Sequence, residues 1–214
     1  MARIYSVHPE NPPLRQLQQL VAIIEQGGVV ALPTDSSYAL CCHLDDKAAV
    51  DHLRRIRGLD DKHLLTLLCR DLSDIAHYAK VDNQQYRWLK AATPGPFTFI
   101  LAATKEVPRR VSHPSRKTIG LRVPAHHATQ QLLATLGQPL LATSLILPGD
   151  DWPLNEAYAI QDALDHQLDG ILDAGPCGLE PTTVVDLSEL PPRLIRHGLG
   201  DPGLLGLSAE SSSD

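Results

Sequence analysis

Four consecutive residues able to hydrogen-bond an anion or a polar ligand, Thr34-Asp35-Ser36-Ser37, follow directly on the run Val29-Val30-Ala31-Leu32 and Pro33. The run is β-branched or apolar and reads as a buried strand, and Pro33 stops its ladder from continuing. Hydroxyls and a carboxylate are thus placed at a strand's carboxyl end, the edge where open α/β sheets bind ligands. The same four residues also suit an Asx or Ser/Thr turn that closes its own backbone bonds. Further along, PLLATSLI (139–146) is a second apolar run, and Thr143-Ser144 again offer hydroxyls at a carboxyl edge.

Cations supply the complementary chemistry. The net charge is −6, which argues against a protein that coats polyanions wholesale. Yet eleven of the 19 basic residues fall in two windows. One holds Arg54, Arg55, Arg57, Lys62 and Arg70; the other holds Lys105, Arg109, Arg110, Arg116, Lys117 and Arg122, with Glu106 as its one acid. A basic segment in an acidic chain is the pattern of a face that receives phosphates, and equally of a solvated surface. With aromatic residues at 4%, base stacking on single strands is the less favoured way to meet RNA. No Walker loop and no GxGxxG occurs, so any phosphate must be met by side chains and strand-end amides.

Cys41, Cys42, Cys69 and Cys177 lack the paired spacing of a zinc or thioredoxin site and read as small buried hydrophobes. Adjacent histidines diverge on a helix, so His126-His127 read as solvated or capping groups and no metal site is expected.

These groups must be positioned by a chain of 214 residues, enough for one sizeable core. We expect one domain over residues 1–206 and a disordered tail over 207–214, whose residues are too polar and small to pack. No apolar run approaches the ~20 residues that cross a bilayer, and the first residues lack a signal-peptide core, so the expected location is the cytoplasm. Leu14, Leu17, Val21 and Ile24 mark a helix opened by Pro12-Pro13 and closed by Gly27-Gly28. Asp45 or Asp46 caps a second helix that ends at Gly58; others follow Asp71, run from Asp82 to Ala92, and run from 126 to 136. Asn155 is expected to cap a helix reaching about Leu168. Strands are expected near 4–7, 29–32, at 64–69 (LLTLLC), FTFILA (97–102), TIGLRV (118–123), 139–146, 170–173, 183–187 and 193–197. Strand-helix-strand units mixed with hairpin-like strands point to a twisted, mixed α/β sheet flanked by helices.

In order along the chain, PTDSSYAL (33–40), PGPFTFIL (94–101), KTIGLRVP (117–124), ATSLILPG (142–149), PTTVVDL (181–187) and RHGLGD (196–201) resemble the YrdC family, the threonylcarbamoyl-AMP synthase fold. CRDLS (69–73) and KEVPRR (105–110) look like its YciO branch, and the resemblance spans about Pro9 to Asp201. It implies an open mixed sheet with a basic concave cleft. Synthases of this family condense L-threonine, bicarbonate and ATP to threonylcarbamoyl-AMP with release of pyrophosphate, for adenosine-37 modification of tRNA. The family is also described as binding double-stranded RNA.

Carried over by motif, the resemblance puts Thr34, Arg122 and Thr182 near the threonine, and Arg57, Thr118, Ser144 and Arg196 near the nucleotide. Arg54, Lys105, Arg109, Arg110 and Lys117 are expected to meet RNA or phosphate. A planar guanidinium suits both assignments, holding a carboxylate at Arg122 or a phosphate at Arg196 through two parallel bonds. Arg122 also alternates with Leu121 and Val123 as the outward residue of an amphipathic strand would. Thr34, Arg122 and Arg196 are expected to converge on one cationic hollow. No residue is assigned a certain catalytic role, and no resident cofactor is assigned beyond ATP with Mg as a substrate complex.

The chain departs from the synthases where the triphosphate is met. Their Lys-x-Arg reads Arg57-Gly58-Leu59 here, their Ser-x-Asn reads Ser144-Leu145-Ile146, and an Asn and a His of theirs align with His63 and Leu68. Losing a guanidinium contact and an amide contact costs about 1.5–3 kcal/mol each, about two to four decades together if additive. The expectation is a YciO-type protein that binds nucleotide or double-stranded RNA, with weak or altered synthase activity. The alternatives are an active synthase (a nucleotidyltransferase) in which Arg57, Lys62 or a cation from 105–117 restores the charge, and a non-catalytic double-stranded RNA-binding module.

Overall fold

The computed structural model describes residues 2–60 and 63–207. Lys62 and the tail from residue 208 onward, both of which carry expectations above, lie outside them. In chain order the first elements are β1 (Arg3–Ser6), α1 (Leu14–Glu25), β2 (Val30–Leu32), β3 (Ala39–His43), α2 (Lys47–Arg57) and β4 (Thr66–Leu68). Next come α3 (Leu72–Tyr78), α4 (Asn83–Ala92), β5 (Phe97–Ala102), β6 (Thr118–Arg122), α5 (His127–Leu136) and β7 (Leu140–Ser144). The last are α6 (Ala157–Leu164), β8 (Gly170–Asp173), β9 (Thr183–Asp186), β10 (Arg193–Arg196) and a 3-10 turn at Pro202–Leu205.

The fold is mixed α/β, and the chain's contacts divide into two compact units. Unit 1 is built from Met1–His63 and His126–Leu179, unit 2 from Leu64–Ala125 and Glu180–Asp214. In unit 1 the strands lie in the order β1-β8-β2-β3-β7. β8 is parallel to both β1 and β2, while β2/β3 and β3/β7 are antiparallel. Its core joins Leu17, Leu20 and Ile24 of α1 to fully buried strand residues such as Val30, Leu32, Leu40 and Ile171. Unit 2 has the order β4-β6-β5-β9-β10, with β4/β6 and β5/β9 parallel and β5/β6 and β9/β10 antiparallel.

Strand β5 shows how unit 2 is layered. Side chains alternate across a strand, and Phe97, Phe99 and Leu101 are buried while Thr98, Ile100 and Ala102 are half-buried. One face is therefore core, with the rings of Phe97 and Phe99 stacked at 5.7 Å, and the other is half-buried on this strand.

Helix starts follow the local chemistry that the sequence predicts. The Asp46 carboxylate accepts from Ala49 N at the start of α2, and Asp71 from Ser73 N and Asp74 N at α3. Asp82 and Gln85 form a reciprocal capping box at α4, and His126 caps α5 by accepting from Thr129 N. Asn155 is different. Helix α6 starts two residues later with no side-chain cap, because the Asn155 amide donates to the Cys177 carbonyl (3.4 Å) while its own carbonyl accepts from Cys177 N. That helix also ends early, at Leu164, whose carbonyl accepts from Gln167 N and Leu168 N in a closing turn. Cys41, Cys42 and Cys69 are buried and Cys177 is half-buried. No helix among the described residues is long and apolar enough to cross a membrane.

Candidate functional site

The half-buried face of unit 2 follows from strand register. On β6 the residues of that face are Thr118, Gly120 and Arg122, of which Gly120 is half-buried and the other two are buried. Gly120 lies opposite Thr66 on β4 and Ile100 on β5, and carrying the β5/β6 register one step further sets Thr98 opposite Arg122. β9 adds Val184 and Asp186, with Thr182 just before it, and β10 adds Arg196, whose register partner is Val184. Thr, Gly and Arg therefore share this sheet face with Ile100, Val184 and Asp186.

At one end of this face the groups form a bonded cluster. Arg196 donates from Nε and Nη2 to the Thr182 carbonyl (3.1 and 3.0 Å) and from Nη2 to Thr182 Oγ1 (3.2 Å). Thr182 Oγ1 lies 2.9 Å from Thr98 Oγ1. Arg122 is only 7% exposed. Partial burial first, then the positive charge of Arg122, hold the Arg196 guanidinium below its ordinary pKa. A guanidinium held down by a neighbouring guanidinium invites an anion, whose arrival relieves the repulsion. A Cβ added at Gly120 would sit 3.0 Å from Thr66 Oγ1 and 3.6 Å from Thr98 Cγ2, so the glycine lets the two threonines close in over β6. At the other end Thr118 Oγ1 is buried with no hydrogen-bond partner among the described residues.

Gly198 fixes the Thr182 segment. A Cβ there would run into the backbone of Pro181 and Thr182, so glycine permits the close approach. The approach lets Gly198 N donate to Thr183 Oγ1 (3.0 Å) and Leu199 N to the Pro181 carbonyl (3.0 Å).

The basic segment between β5 and β6 is anchored and open. Val107 and Val111 are buried, while Lys105, Arg109, Arg110 and Lys117 are exposed. His113 Nδ1 accepts from Ser115 N and Arg116 N. Arg116 forms an ion pair with Asp186 and donates to Ser188 Oγ (3.1 Å). Asp186 also accepts from Ser188 N and Ser188 Oγ. Lys117 is the one non-glycine residue with positive φ (51°) among the described residues, a strained position for a lysine.

Unit 1 holds Thr34, Arg54, Arg57 and Ser144. Thr34 Oγ1 accepts from Ser36 N and Ser37 N (3.2 Å each) and donates to the Ser37 carbonyl (2.6 Å), so the hydroxyl sits at the centre of a Ser/Thr turn. Arg54, expected to meet phosphate, is 7% exposed and donates from Nη1 to the carbonyls of Asp60 (2.5 Å) and His63 (3.0 Å). Its charge is committed to these carbonyls of the loop after α2. Arg57 is half-buried, with burial lowering its pKa and with Nε buried and unpartnered among the described residues. Burial, then Arg57 and Arg54, lower the pKa of His63. Ser144 is exposed at the end of β7, paired with Ala39.

Of the assigned residues the structure thus brings Arg122, Thr182 and Arg196 together at one end of the unit 2 face, with Thr118 further along β6. Thr98, Thr66 and Gly120 share that face and were not assigned from sequence. Their signal was the alternation of Thr98 with two phenylalanines in FTFILA.

A family model described as "Telomere recombination", for Sua5, YciO and YrdC, matches residues 22–198. The chain belongs to the Sua5/YciO/YrdC family. Within the family it is 48% identical to Escherichia coli (strain K12) YciO over 201 residues, 94% of this chain and 98% of that one. The crystal structure of E. coli YciO matches with a TM-score of 0.92 at 47% identity, covering 96% of this chain and all of that one. The threonylcarbamoyl-AMP synthase of Vibrio vulnificus (strain YJ016) is 31% identical over 159 residues, 73% of this chain and 84% of that one. P. abyssi Sua5, solved in complex with L-threonine, matches with a TM-score of 0.83 at 27% identity over 91% of this chain and 57% of that chain. The Sua5/YciO/YrdC fold and the relation to threonylcarbamoyl-AMP synthases are thereby shown.

Proposed function

We propose that this chain binds a small carboxylate-bearing ligand, L-threonine or an adenylate, on the half-buried face of unit 2, and that it forms threonylcarbamoyl-AMP weakly or in altered fashion. The observation that carries the reading is the pair Arg122 and Arg196, close enough for one to depress the other's pKa, beside the Thr182 hydroxyl. A relative solved with L-threonine supports the choice of ligand. A fork of parallel N–H donors matches a carboxylate, and a second cation offsets the charge that grows as a carbamate oxygen attacks the α-phosphorus and pyrophosphate leaves. Leu59 and Ile146 stand where the synthases keep a cation and an amide, which supports weak turnover.

The test is pyrophosphate release from ATP with bicarbonate, with and without L-threonine, beside heat-unfolding shifts with L-threonine and with AMP. Ligand-dependent stabilisation with slow or no threonine-dependent release is the expected result. Release at a rate typical of enzymes, about 1–10³ per second, and abolished by Arg122→Ala, would replace this reading with that of a full synthase. No stabilisation by either ligand would sink it.

The exposed cations Lys105, Arg109, Arg110 and Lys117 favour a second reading, in which the segment meets double-stranded RNA through backbone charge and shape. Replacing Arg109, Arg110 and Lys117 together by alanine should then weaken duplex RNA binding equally across sequences and flatten its salt dependence. An unchanged salt slope counts against the RNA role.

A further inference from the structure

We infer that the hydroxyl donor offered to the ligand is that of Thr98, and that Thr182 is the positioning residue behind it. This deepens the proposed function and rests on it. Thr98 and Thr182 carry one hydroxyl proton each, and their 2.9 Å contact uses one of the two. Thr182 Oγ1 already accepts from Arg196 Nη2. Were it also to accept from Thr98, its own proton would need another acceptor, yet Thr182 is 6% exposed and Thr98 is the other side-chain partner of its Oγ1. A buried donor left without an acceptor is costly. The direction that satisfies every group runs from Arg196 to Thr182 to Thr98, which leaves the proton of Thr98 free to donate outward from its half-buried place.

What Thr98 donates to follows from its neighbours. Carrying the β5/β6 register one step past Phe99 and Leu121 sets it opposite Arg122, and side chains facing each other across an antiparallel pair have Cβ atoms about 4.5–5.5 Å apart. Gly120 lets Thr98 lie close over β6, since a Cβ there would sit 3.6 Å from Thr98 Cγ2 and 3.0 Å from Thr66 Oγ1. A guanidinium and a hydroxyl at that spacing suit one carboxylate group, the guanidinium taking its charge and Thr98 binding a remaining lone pair. Arg196 polarises the relay, since a hydroxyl that accepts from a cation becomes a better donor. The ligand class is therefore an α-amino acid or other small acid presenting its carboxylate to β5 and β6, with Thr98 discriminating for that acceptor.

The experiment measures L-threonine binding to the full chain by calorimetry for the wild type, Thr98→Val, Thr98→Ser and Thr182→Val, with the ligand-free melting temperature of each. Thr98→Val keeps the shape and removes the donor, and is expected to weaken binding about tenfold. Thr98→Ser restores the donor and should bind within about twofold of wild type, which a purely structural role would not predict. Thr182→Val leaves the outward donor in place but unanchored, and should lose about threefold. Equal binding by wild type and Thr98→Val, or a larger loss in Thr182→Val than in Thr98→Val, overturns the inference and leaves the proposed function standing. Absence of binding by the wild type, under conditions where every variant is folded, overturns both.

Discussion

At the scale of single residues, type is legible in a sequence and commitment is not. Arg54 and Arg122 are equally buried arginines, yet the first is tied to the carbonyls of Asp60 and His63 while the second lies on β6, near enough to Arg196 to lower its pKa. Nothing local to either residue announces which is which, because the carbonyls that claim Arg54 come from a loop six and nine residues further on. Thr34 carries the same lesson, since its hydroxyl reads as a ligand group and as a turn former, and the turn holds it. For Arg122 the guanidinium shape is the property at stake. Arg122→Lys keeps the charge and gives up the fork, so it should weaken L-threonine binding about tenfold while moving the melting temperature little; calorimetry and heat unfolding check the two halves. Affinity equal to wild type would show that charge alone is used.

At the scale of elements, the sequence was informative wherever local chemistry decides. Caps at Asp46, Asp71, Asp82 and His126, and strands at 170–173 and 193–196, followed from residues within one turn or one alternation. It was less informative where a distant partner decides. Asn155 looks like a cap and pairs with Cys177 instead, and the 3-10 turn at Pro202–Leu205, capped by Asp201, lies in a stretch with no helical period. The approach of Gly198 to Pro181 and Thr182 is of this second kind. Gly198→Ala must push the 196–201 segment off Thr182, because the atoms it would meet are backbone and cannot rotate away. Overpacking of this sort costs about 1–3 kcal/mol. Both the melting temperature and L-threonine affinity should fall together, whereas Gly149→Ala, where nothing lies within 4 Å but φ is +90°, should lower the melting temperature alone.

At the scale of the molecule, charge and chain order make their own predictions. Asp186 is 4% exposed; burial pushes its carboxyl up, but the Ser188 hydroxyl and then Arg116 hold it below the usual aspartate value. A carboxyl depressed in the folded state contributes stability above its unfolded pKa, about 3.9, and loses it as pH falls through the folded value. The melting temperature of Asp186→Asn should therefore lie below wild type at pH 7, and the gap should close below about pH 4. A gap that stays constant across that range would show that the ion pair with Arg116 adds nothing. The strand order of unit 1 has a consequence for biosynthesis. β1 and β2 are separated in the sheet by β8, which begins at Gly170, so among the described strands the first has no neighbour until residues 170–173 have left the ribosome. Nascent chains arrested before residue 165 should remain open to protease digestion, and those arrested well beyond residue 179 should resist it, making the emergence of β8 the moment at which this unit closes.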